Sequence, residues 1–322
     1  MTSSSPDNDR AGPPTTAGRL GLSGEREVSR GTVFGLAAYL VWGTFPFYFH
    51  ALAPAGPWEI VAHRILWSLV FCLIVLLVRR DLRWLPALLR QRRIVAGLAV
   101  AACVVAVNWG VYVGAVLSEH TRDAALGYFL NPLITVALGV VVLREPLRRL
   151  QGVAVGIGGI AAAYLTVVGG TVPVIALTLA TSFAIYGLAK KRVGANLPAL
   201  HGLTVETAVL APVAAGLLGP LAGPLAEAFG AVSVGWDSPG HAALLVCSGP
   251  ITAIPLLLFA AAARRVPLVT IGLLQFSTPV LQLIASLVLG EQVSAHEWVG
   301  FVIVWVALTV LTVDALRARR EG

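Results

Sequence analysis

Charged residues are scarce in this chain of 322 residues, where they make up 12% of the sequence, about half of the usual share of roughly 25%. Cysteine is also rare, and Cys72, Cys103 and Cys247 all lie within apolar stretches. This distribution indicates neither a disulfide framework nor a zinc site. The sequence contains no metal-ligand spacing, no nucleophile elbow and no phosphate-binding loop, so we predict no cofactor and no metal.

Long apolar stretches dominate the rest of the chain, and hydrophobic residues make up 57% of it. The stretches span residues 32–52, 58–78, 94–116, 123–143, 150–168, 172–189, 201–220, 241–262, 267–289 and 298–315. Each is close to the roughly 20 residues that a helix needs to cross a bilayer. They lack the alternation of a membrane β-barrel strand, and a helix satisfies its own backbone hydrogen bonds. We therefore predict an all-α polytopic membrane protein with ten transmembrane helices in a lipid bilayer.

Basic residues mark one side of these stretches. All of the lysines and arginines except Arg64 and Arg122 lie in the two tails or in every second gap, at residues 79–93, 144–149, 190–192 and 264–265. Short basic loops stay on the cytoplasmic side, so both termini are predicted to be cytoplasmic. This topology also accounts for the pI near 9.8, and we predict no nucleic-acid partner. Residues 1–30 have no apolar core and are predicted to form a disordered cytoplasmic tail.

The two halves of the chain contain a matching segment. Residues 126–145 and 271–291 both run from a glycine through a polar residue and a proline to a glutamate. Because five helices is an odd number, a repeated five-helix unit enters the membrane from the opposite side. We predict inverted repeats at 31–168 and 171–316, an arrangement typical of secondary transporters.

Each matching segment contains a proline, and the segments match when gaps of one or two residues are allowed. A proline within a helix removes the N–H that would bond the carbonyl four residues earlier. Pro132 would free the carbonyl of Tyr128, and Pro279 would free that of Gln275. Freed carbonyls are tolerated where they find partners or face a wet cavity. Both a helix break beside a cavity and a packing kink satisfied by a neighbouring helix stay open.

Arg64 is the one basic residue inside an apolar stretch. It lies about six residues into the second predicted helix, or roughly 9 Å along it. A charge near the bilayer centre costs at least about 2.5 kcal/mol. Glu59 and His63 are one helical turn apart, so we expect the three side chains to cluster as a binding or gating group. An arginine reaching the outer headgroups and a structural Glu–Arg pair are the alternatives.

Further polar and aromatic residues are predicted at similar depth on other helices. They are Tyr39, Trp42, Asn108, Trp109, Tyr112, Tyr128, Asn131, Ser182, Tyr186, Gln275 and Gln282. Packing alone would explain any single aromatic, but Asn and Gln cannot remain unpaired in hydrocarbon. Such a lining suits a small amphipathic organic solute. Glu206, near the start of the seventh predicted helix, is either a proton-coupling carboxylate or a solvated residue at the interface.

Many short segments of the chain form one ordered set. They include Tyr39-Leu-Val-Trp42-Gly43, Glu59, His63-Arg64, Asn108-Trp109, Leu126-Gly127-Tyr128-Phe129, Asn131-Pro132-Leu133, Ser182-Phe183-Ala184-Ile185-Tyr186-Gly187, Glu206-Thr207 and Gly272-Leu273-Leu274-Gln275-Phe276. Together they resemble RarD-type proteins of the EamA group in the drug/metabolite transporter superfamily. The resemblance covers about residues 31–315. It implies ten helices in two inverted repeats within a bacterial inner membrane, and export of drugs or small metabolites. The family's buried polar positions carry over to Glu59, His63, Arg64, Asn108, Tyr128, Asn131, Gln275 and Glu206.

The sequence thus predicts a secondary transporter that exports small organic solutes by alternating access, with Arg64, His63 and Glu59 holding the polar head of the solute. Two alternatives belong to other classes of protein. A membrane-embedded enzyme acting on a lipid-linked substrate would need a large loop, such as 221–240. A scaffold or sensor that transports nothing would have a filled centre, with its polar residues paired between helices.

Overall fold

The structure, a computed structural model, describes residues 16–144, 148–170, 172–193, 197–219, 238–266, 274–275 and 277–321. The described residues form helices joined by turns and short loops, with no strand among them. In chain order, the helices are α1 (Thr16–Gly43), α2 (Phe45–Ala51), α3 (Pro57–Val78), α4 (Leu85–Leu89), α5 (Arg92–Leu117), α6 (Thr121–Leu143), α7 (Arg149–Gly169), α8 (Val174–Val193), α9 (Ala199–Leu218), α10 (Pro239–Ala263), α11 (Ser277–Val288) and α12 (Ala295–Glu321).

Seven of the described helices are long and apolar enough to cross a membrane. Residues Glu27–Gly43 of α1 and the short α2 form a pair bent by 40°, which makes an eighth if it counts as one span. Helices α8 and α11 are apolar but shorter. Every predicted apolar stretch overlaps a helix. The predicted number of ten membrane crossings is larger than the seven or eight that the described helices support by length, and it stays a prediction.

The outer surface of the helices is apolar. Val78, Val141 and Val167 are each more than three-quarters exposed, and many other large apolar residues face outward with them. Soluble monomers rarely expose apolar patches larger than a few hundred Å². A bilayer removes this cost, because lipid tails are as apolar as the side chains that contact them. The chain is therefore a multi-pass membrane protein.

The helices pack closely against one another in the interior of the protein. Helix α3 packs against α9 and α10, α7 packs against α12, and α6 packs against α5, α8 and α11. At Gly127 of α6, an added Cβ atom would lie 2.7 Å from the carbonyl oxygen of Ala176 in α8. Only glycine allows this approach, because any side chain would collide with the neighbouring backbone. The contact draws Tyr128, the next residue of α6, towards α8.

Residues 16–30 differ from their prediction. The sequence predicts a disordered tail over 1–30, but α1 begins at Thr16, and residues 1–15 lie outside the described part. Glu27 accepts hydrogen bonds from Arg30 on the next turn, at 3.3 Å, and from Arg265 at the end of α10, at 3.0 Å. Contacts within the helix and with another helix stabilise a segment that composition alone marks as disordered.

The two prolines of the matching segments both lie in described helices. Pro132 lies inside α6, as predicted. Pro279 lies in α11, whose described residues begin at Ser277. Residues 274–275 are also helical, and residue 276 lies outside the described part. The helix break at Pro279 stays a prediction.

Candidate functional site

A cavity lies where helices from both ends of the chain meet. In this conformation, the volume open to the centres of water molecules is about 40 Å³, and one water needs roughly 10–15 Å³ by that measure. The cavity thus admits a few waters, and a larger solute requires its walls to move. Its lining residues are Tyr39, Trp42, Phe45, Arg64, Asn108, Trp109, Tyr112, Tyr128, Phe183, Leu256, Gln275, Thr278 and Gln282.

Arg64 of α3 is the only charged residue among the described residues of this lining, and it is 2% exposed. Its Nε donates a hydrogen bond to Thr252 Oγ1 of α10, at 3.0 Å. The faces of three rings surround its Cζ, with centroids at 5.4 Å (Phe45), 5.0 Å (Phe49) and 4.8 Å (Trp109). Aromatic faces attract a cation more strongly when it is desolvated. Arg64 forms no ion pair with a described residue, and its Nη1 has no hydrogen-bond partner there.

Two further lining residues carry a buried polar atom without a hydrogen-bond partner in the described part. These atoms are the hydroxyl oxygen of Tyr39 and Oε1 of Gln282. The amide nitrogen of Gln282 donates to Tyr112 Oη at 2.9 Å and lies 3.5 Å from the carbonyl oxygen of Trp42. Close by, Thr278 Oγ1 donates to the carbonyl of Tyr39 at 2.8 Å and ties α11 to α1.

Asn108 and Asn131 brace the helices around the cavity. Asn108 Nδ2 donates to Ser182 Oγ at 2.9 Å and to the Leu179 carbonyl at 3.1 Å, and its Oδ1 accepts from Tyr128 at 3.1 Å. Asn131 does not line the cavity. Its Nδ2 donates to the Ala180 carbonyl at 2.8 Å, while its Oδ1 accepts from Gln275 at 2.6 Å. These amides are paired with protein groups, as hydrocarbon surroundings require.

His63 and Glu59 are buried in α3 beside Arg64 but do not line the cavity. Nδ1 of His63 accepts a hydrogen bond from Trp67 Nε1 at 3.2 Å. Successive residues of a helix are about 100° apart around its axis, so His63 points away from the face that Arg64 presents. Glu59 lies about 140° from Arg64 by the same count. Neither side chain lines the cavity in this conformation, and their predicted place beside Arg64 at the solute head stays a prediction.

Glu206 lies in a second buried polar cluster, away from the cavity lining. Its Oε1 accepts from Lys190 Nζ at 2.6 Å, and its Oε2 accepts from Tyr186 Oη at 3.3 Å. The side chain is 3% exposed, against 21% for Lys190. Glu206 is thus no solvated interface residue. Tyr186 and Ser182, both predicted to contact a solute, do not line the cavity in this conformation. The hydroxyl of Tyr186 donates a hydrogen bond to Glu206, and that of Ser182 accepts one from Asn108.

Sequence reasoning missed four lining residues, namely Phe45, Phe183, Leu256 and Thr278. Phe183 contacts Trp42 and Tyr128 edge to face, with centroids at 6.2 and 6.0 Å. Single aromatic, aliphatic or threonine residues within apolar helices carry no signal that separates lining from packing. Residues 220–237, including Glu227 and Asp237 of the loop that an enzyme would need, lie outside the described part.

Among the described residues, three ion pairs and one hydrogen bond between side chains join the first part of the chain to the second. The ion pairs are Glu27–Arg265, Arg122–Glu297 and Arg148–Asp314, at 3.0, 2.7 and 3.3 Å. The hydrogen bond joins Asp81 and His201 at 2.8 Å. Glu291 also accepts hydrogen bonds from the backbone N–H groups of Thr121 and Arg122, at 2.9 and 3.1 Å, and so caps α6. Arg122 is therefore bound to the other half of the chain, although its sequence position indicates an ordinary loop.

Comparison with known proteins assigns the family. The EamA-like transporter family matches residues 29–167. Protein RarD of Streptomyces exfoliatus is 45% identical over 94% of this chain and 94% of its own. The chain is a RarD-type member of the EamA family. An uncharacterized transporter of Pseudomonas aeruginosa is 39% identical, over 91% of this chain and 96% of its own. One crystal structure, 20% identical, has the same fold with a TM-score of 0.60, over 88% of this chain and 98% of its own.

Membership in this family indicates the general class of the protein. EamA proteins belong to the drug/metabolite transporter superfamily, so the chain is a bacterial membrane transporter for small-molecule solutes. The predicted family is thereby confirmed. Family and relatives' names indicate a transporter rather than an enzyme. The cavity lies within residues that the matches cover, which makes it the natural place to look for the solute.

Proposed function

We propose that this RarD-type protein is a secondary transporter that exports small organic solutes across the bacterial inner membrane by alternating access. The observation that carries this proposal is Arg64, a buried charge at a cavity whose Nη1 amino group has no hydrogen-bond partner among the described residues. A buried polar group left unpaired costs about 1–3 kcal/mol, more when charged. We propose that a bound solute supplies the missing hydrogen-bond partner of Arg64 and so offsets this cost.

The arrangement of the cavity supports these roles. Arg64 binds the polar head of the solute, while Trp42, Tyr112, Tyr128 and Phe183 contact its apolar part. Apolar, aromatic walls with few placed polar groups are typical of sites for small organic molecules. A scaffold or sensor would show a filled centre with paired polar groups, whereas three polar atoms of this lining have no partner in the described part.

Two halves that rock against each other would produce the alternation. In our proposal, residues 31–168 and 171–316 form inverted five-helix repeats with ten crossings and both termini in the cytoplasm. Helices from both halves line the cavity, and the ion pairs that join the halves are partly exposed. Exposed pairs contribute about 0–1 kcal/mol each, so they can break and re-form as the halves move.

A gradient supplies the energy in this proposal, because no nucleotide-binding motif was found. Glu206 is our choice for a proton-coupling carboxylate. It is buried, it belongs to a helix that packs against α3, and its partners Lys190 and Tyr186 both donate hydrogen bonds to it. Tyr186 also contacts Phe183 of the cavity, with ring centroids 6.0 Å apart. This chain of contacts connects the carboxylate to the solute.

The experiment is solute counterflow in proteoliposomes. A thermal-shift screen over amino acids, nucleosides and antibiotics first selects solutes that stabilise the purified protein. Counterflow of these solutes is then measured for wild type and for Arg64→Ala. We expect wild type to transport at least one of them, and Arg64→Ala to abolish this transport, because the head of the solute loses its charged partner.

Arg30→Ala is the matched control, since Arg30 is an exposed arginine whose only described contact is Glu27. It should transport like wild type. Folding of each variant is checked by gel filtration and circular dichroism. Wild-type counterflow by folded Arg64→Ala would refute the assignment of the site.

A further inference from the structure

Three residues that line the cavity each carry a buried polar atom without a hydrogen-bond partner in the described part. Five buried side-chain nitrogen or oxygen atoms lack a hydrogen-bond partner among the described residues. Those of Tyr39, Arg64 and Gln282 belong to the cavity lining. Each of the three side chains is at most 2% exposed. Buried polar groups in proteins are nearly always paired, and each exception needs an explanation.

The three atoms differ in what they require. Nη1 of Arg64 is a cationic donor, so it requires an acceptor and favours an anionic one. The hydroxyl of Tyr39 both donates and accepts. Oε1 of Gln282 only accepts, so it requires an N–H or O–H group. No single chemical group satisfies both Arg64 and Gln282, because one needs an acceptor and the other a donor.

The orientation of the Gln282 amide follows from its neighbours. A backbone carbonyl can only accept a hydrogen bond, and the carbonyl oxygen of Trp42 lies 3.5 Å from Nε2 of Gln282. Turning the amide over would place Oε1 against this oxygen. Nε2 also donates to Tyr112 Oη at 2.9 Å. The nitrogen is thus held by protein groups, and Oε1 is the side of the amide left for a solute.

The charge of the lining selects the sign of the solute. Arg64 is the only charged residue among the described residues that line the cavity. A cationic solute would meet its positive charge at short range in a medium of low dielectric, where repulsion is strong. An anionic solute is instead attracted by the charge of Arg64. Three aromatic rings cover Arg64, and its Nε donates to Thr252. Nη1 is buried without a partner in the described part, so it is the donor that we assign to the anionic group.

From these requirements, we infer that the cargo is a small organic anion that also carries a neutral hydrogen-bond donor, with Arg64 binding the anionic group and Gln282 Oε1 selecting for the donor. The inference rests on the proposed transport function and adds the chemical class of its solute. Gln282 thereby becomes a specificity-determining residue. The aromatic walls contact the ring or chain that connects the two groups.

Four related compounds separate the two requirements. Indole-3-acetate has an anionic carboxylate and an N–H donor, and 1-methylindole-3-acetate has the same charge without the donor. Indole-3-acetamide keeps the donor but is neutral, and tryptamine keeps it but is a cation. Binding of each to purified protein in detergent is measured by isothermal titration calorimetry. This measurement does not depend on transport.

We expect indole-3-acetate to bind about tenfold more tightly than its N-methyl analogue, because the analogue leaves Oε1 of Gln282 unpaired. Indole-3-acetamide should bind at least about tenfold more weakly than the acid, and tryptamine should not bind. In Gln282→Met, which keeps the length of the side chain, the preference for the donor should fall to within about twofold. Gln91→Met, at an exposed residue between α4 and α5, should keep the wild-type preference.

Equal binding of the two acids by wild type overturns the role of Gln282, and this comparison needs no variant to fold. Tight binding of tryptamine, or no binding of any of the four, overturns the solute class. The expected binding pattern without counterflow in proteoliposomes leaves the solute class standing and refutes the proposed function. The two failures are thus distinguishable.

Discussion

Arg64 and Glu206 are both charged residues buried in apolar helices, each 2% exposed, yet their surroundings differ. Both oxygens of Glu206 accept hydrogen bonds from protein groups, including a lysine at 2.6 Å. Arg64 has one hydrogen bond, three aromatic faces and an Nη1 amino group without a described partner. Glu206 thus has protein partners for both of its oxygens, whereas we propose that a bound solute is the missing partner of Arg64.

This difference separates a charge whose partners all lie within the protein in this conformation from one with a donor group left for a ligand. Burying an ion costs several kcal/mol, and partners offset this cost only when their geometry is good. The Glu206 cluster meets that condition in this conformation. Arg64 lacks such partners, so its charge adds little to the stability of the fold. We therefore propose that the charge is kept for binding a solute.

The largest effect is expected at the Glu206 cluster. Lys190→Met removes the counter-ion and leaves a carboxylate that is 3% exposed without its charged partner. We expect the free energy of unfolding to fall by about 3 kcal/mol, within the range for a broken buried pair. Thermal and chemical unfolding in detergent, followed by circular dichroism, measure the change.

The double variant Lys190→Met, Glu206→Gln is its control. Removing both charges leaves no uncompensated ion, so most of the lost stability should return. If Lys190→Met alone unfolds like wild type, the carboxylate reaches solvent or another partner, and the contrast with Arg64 disappears.

A smaller effect is expected at Arg64. Arg64→Met removes the charge but keeps an apolar side chain among Phe45, Phe49 and Trp109. The lost hydrogen bond to Thr252 and ring contacts are offset by the lost cost of burying an ion, so the free energy of unfolding should change by less than about 1 kcal/mol. The same unfolding measurement applies, with Arg30→Ala as an exposed reference. A loss as large as that of Lys190→Met would show that Arg64 supports the fold.

Patterns along the chain predicted the broad architecture and the most unusual residue. Apolar stretches, each followed by a charged or polar gap, indicated membrane helices because a bilayer imposes a minimum length. Arg64 stood out because topology explains nearly every other basic residue. Nine of the fourteen predicted solute-contacting residues line the cavity, as a comparison of the two sets shows.

The remaining differences arise from contacts between helices, which no local pattern contains. Lys190 reads as a topological marker in sequence, but it pairs with a carboxylate 16 residues later. Ser182 and Tyr186 lie at cavity depth, yet their hydroxyls face Asn108 and Glu206.

Alternating access at this cavity is the central claim, and labelling of Thr278→Cys from both membrane faces tests it most directly. Thr278 lines the cavity and is small. Cys72, Cys103 and Cys247 would first be replaced by alanine. A membrane-impermeant thiol reagent is then added to right-side-out and to inside-out vesicles. We predict that residue 278 is modified in both preparations, because the halves open to each side in turn. Modification from one side only, or from neither, would contradict the account.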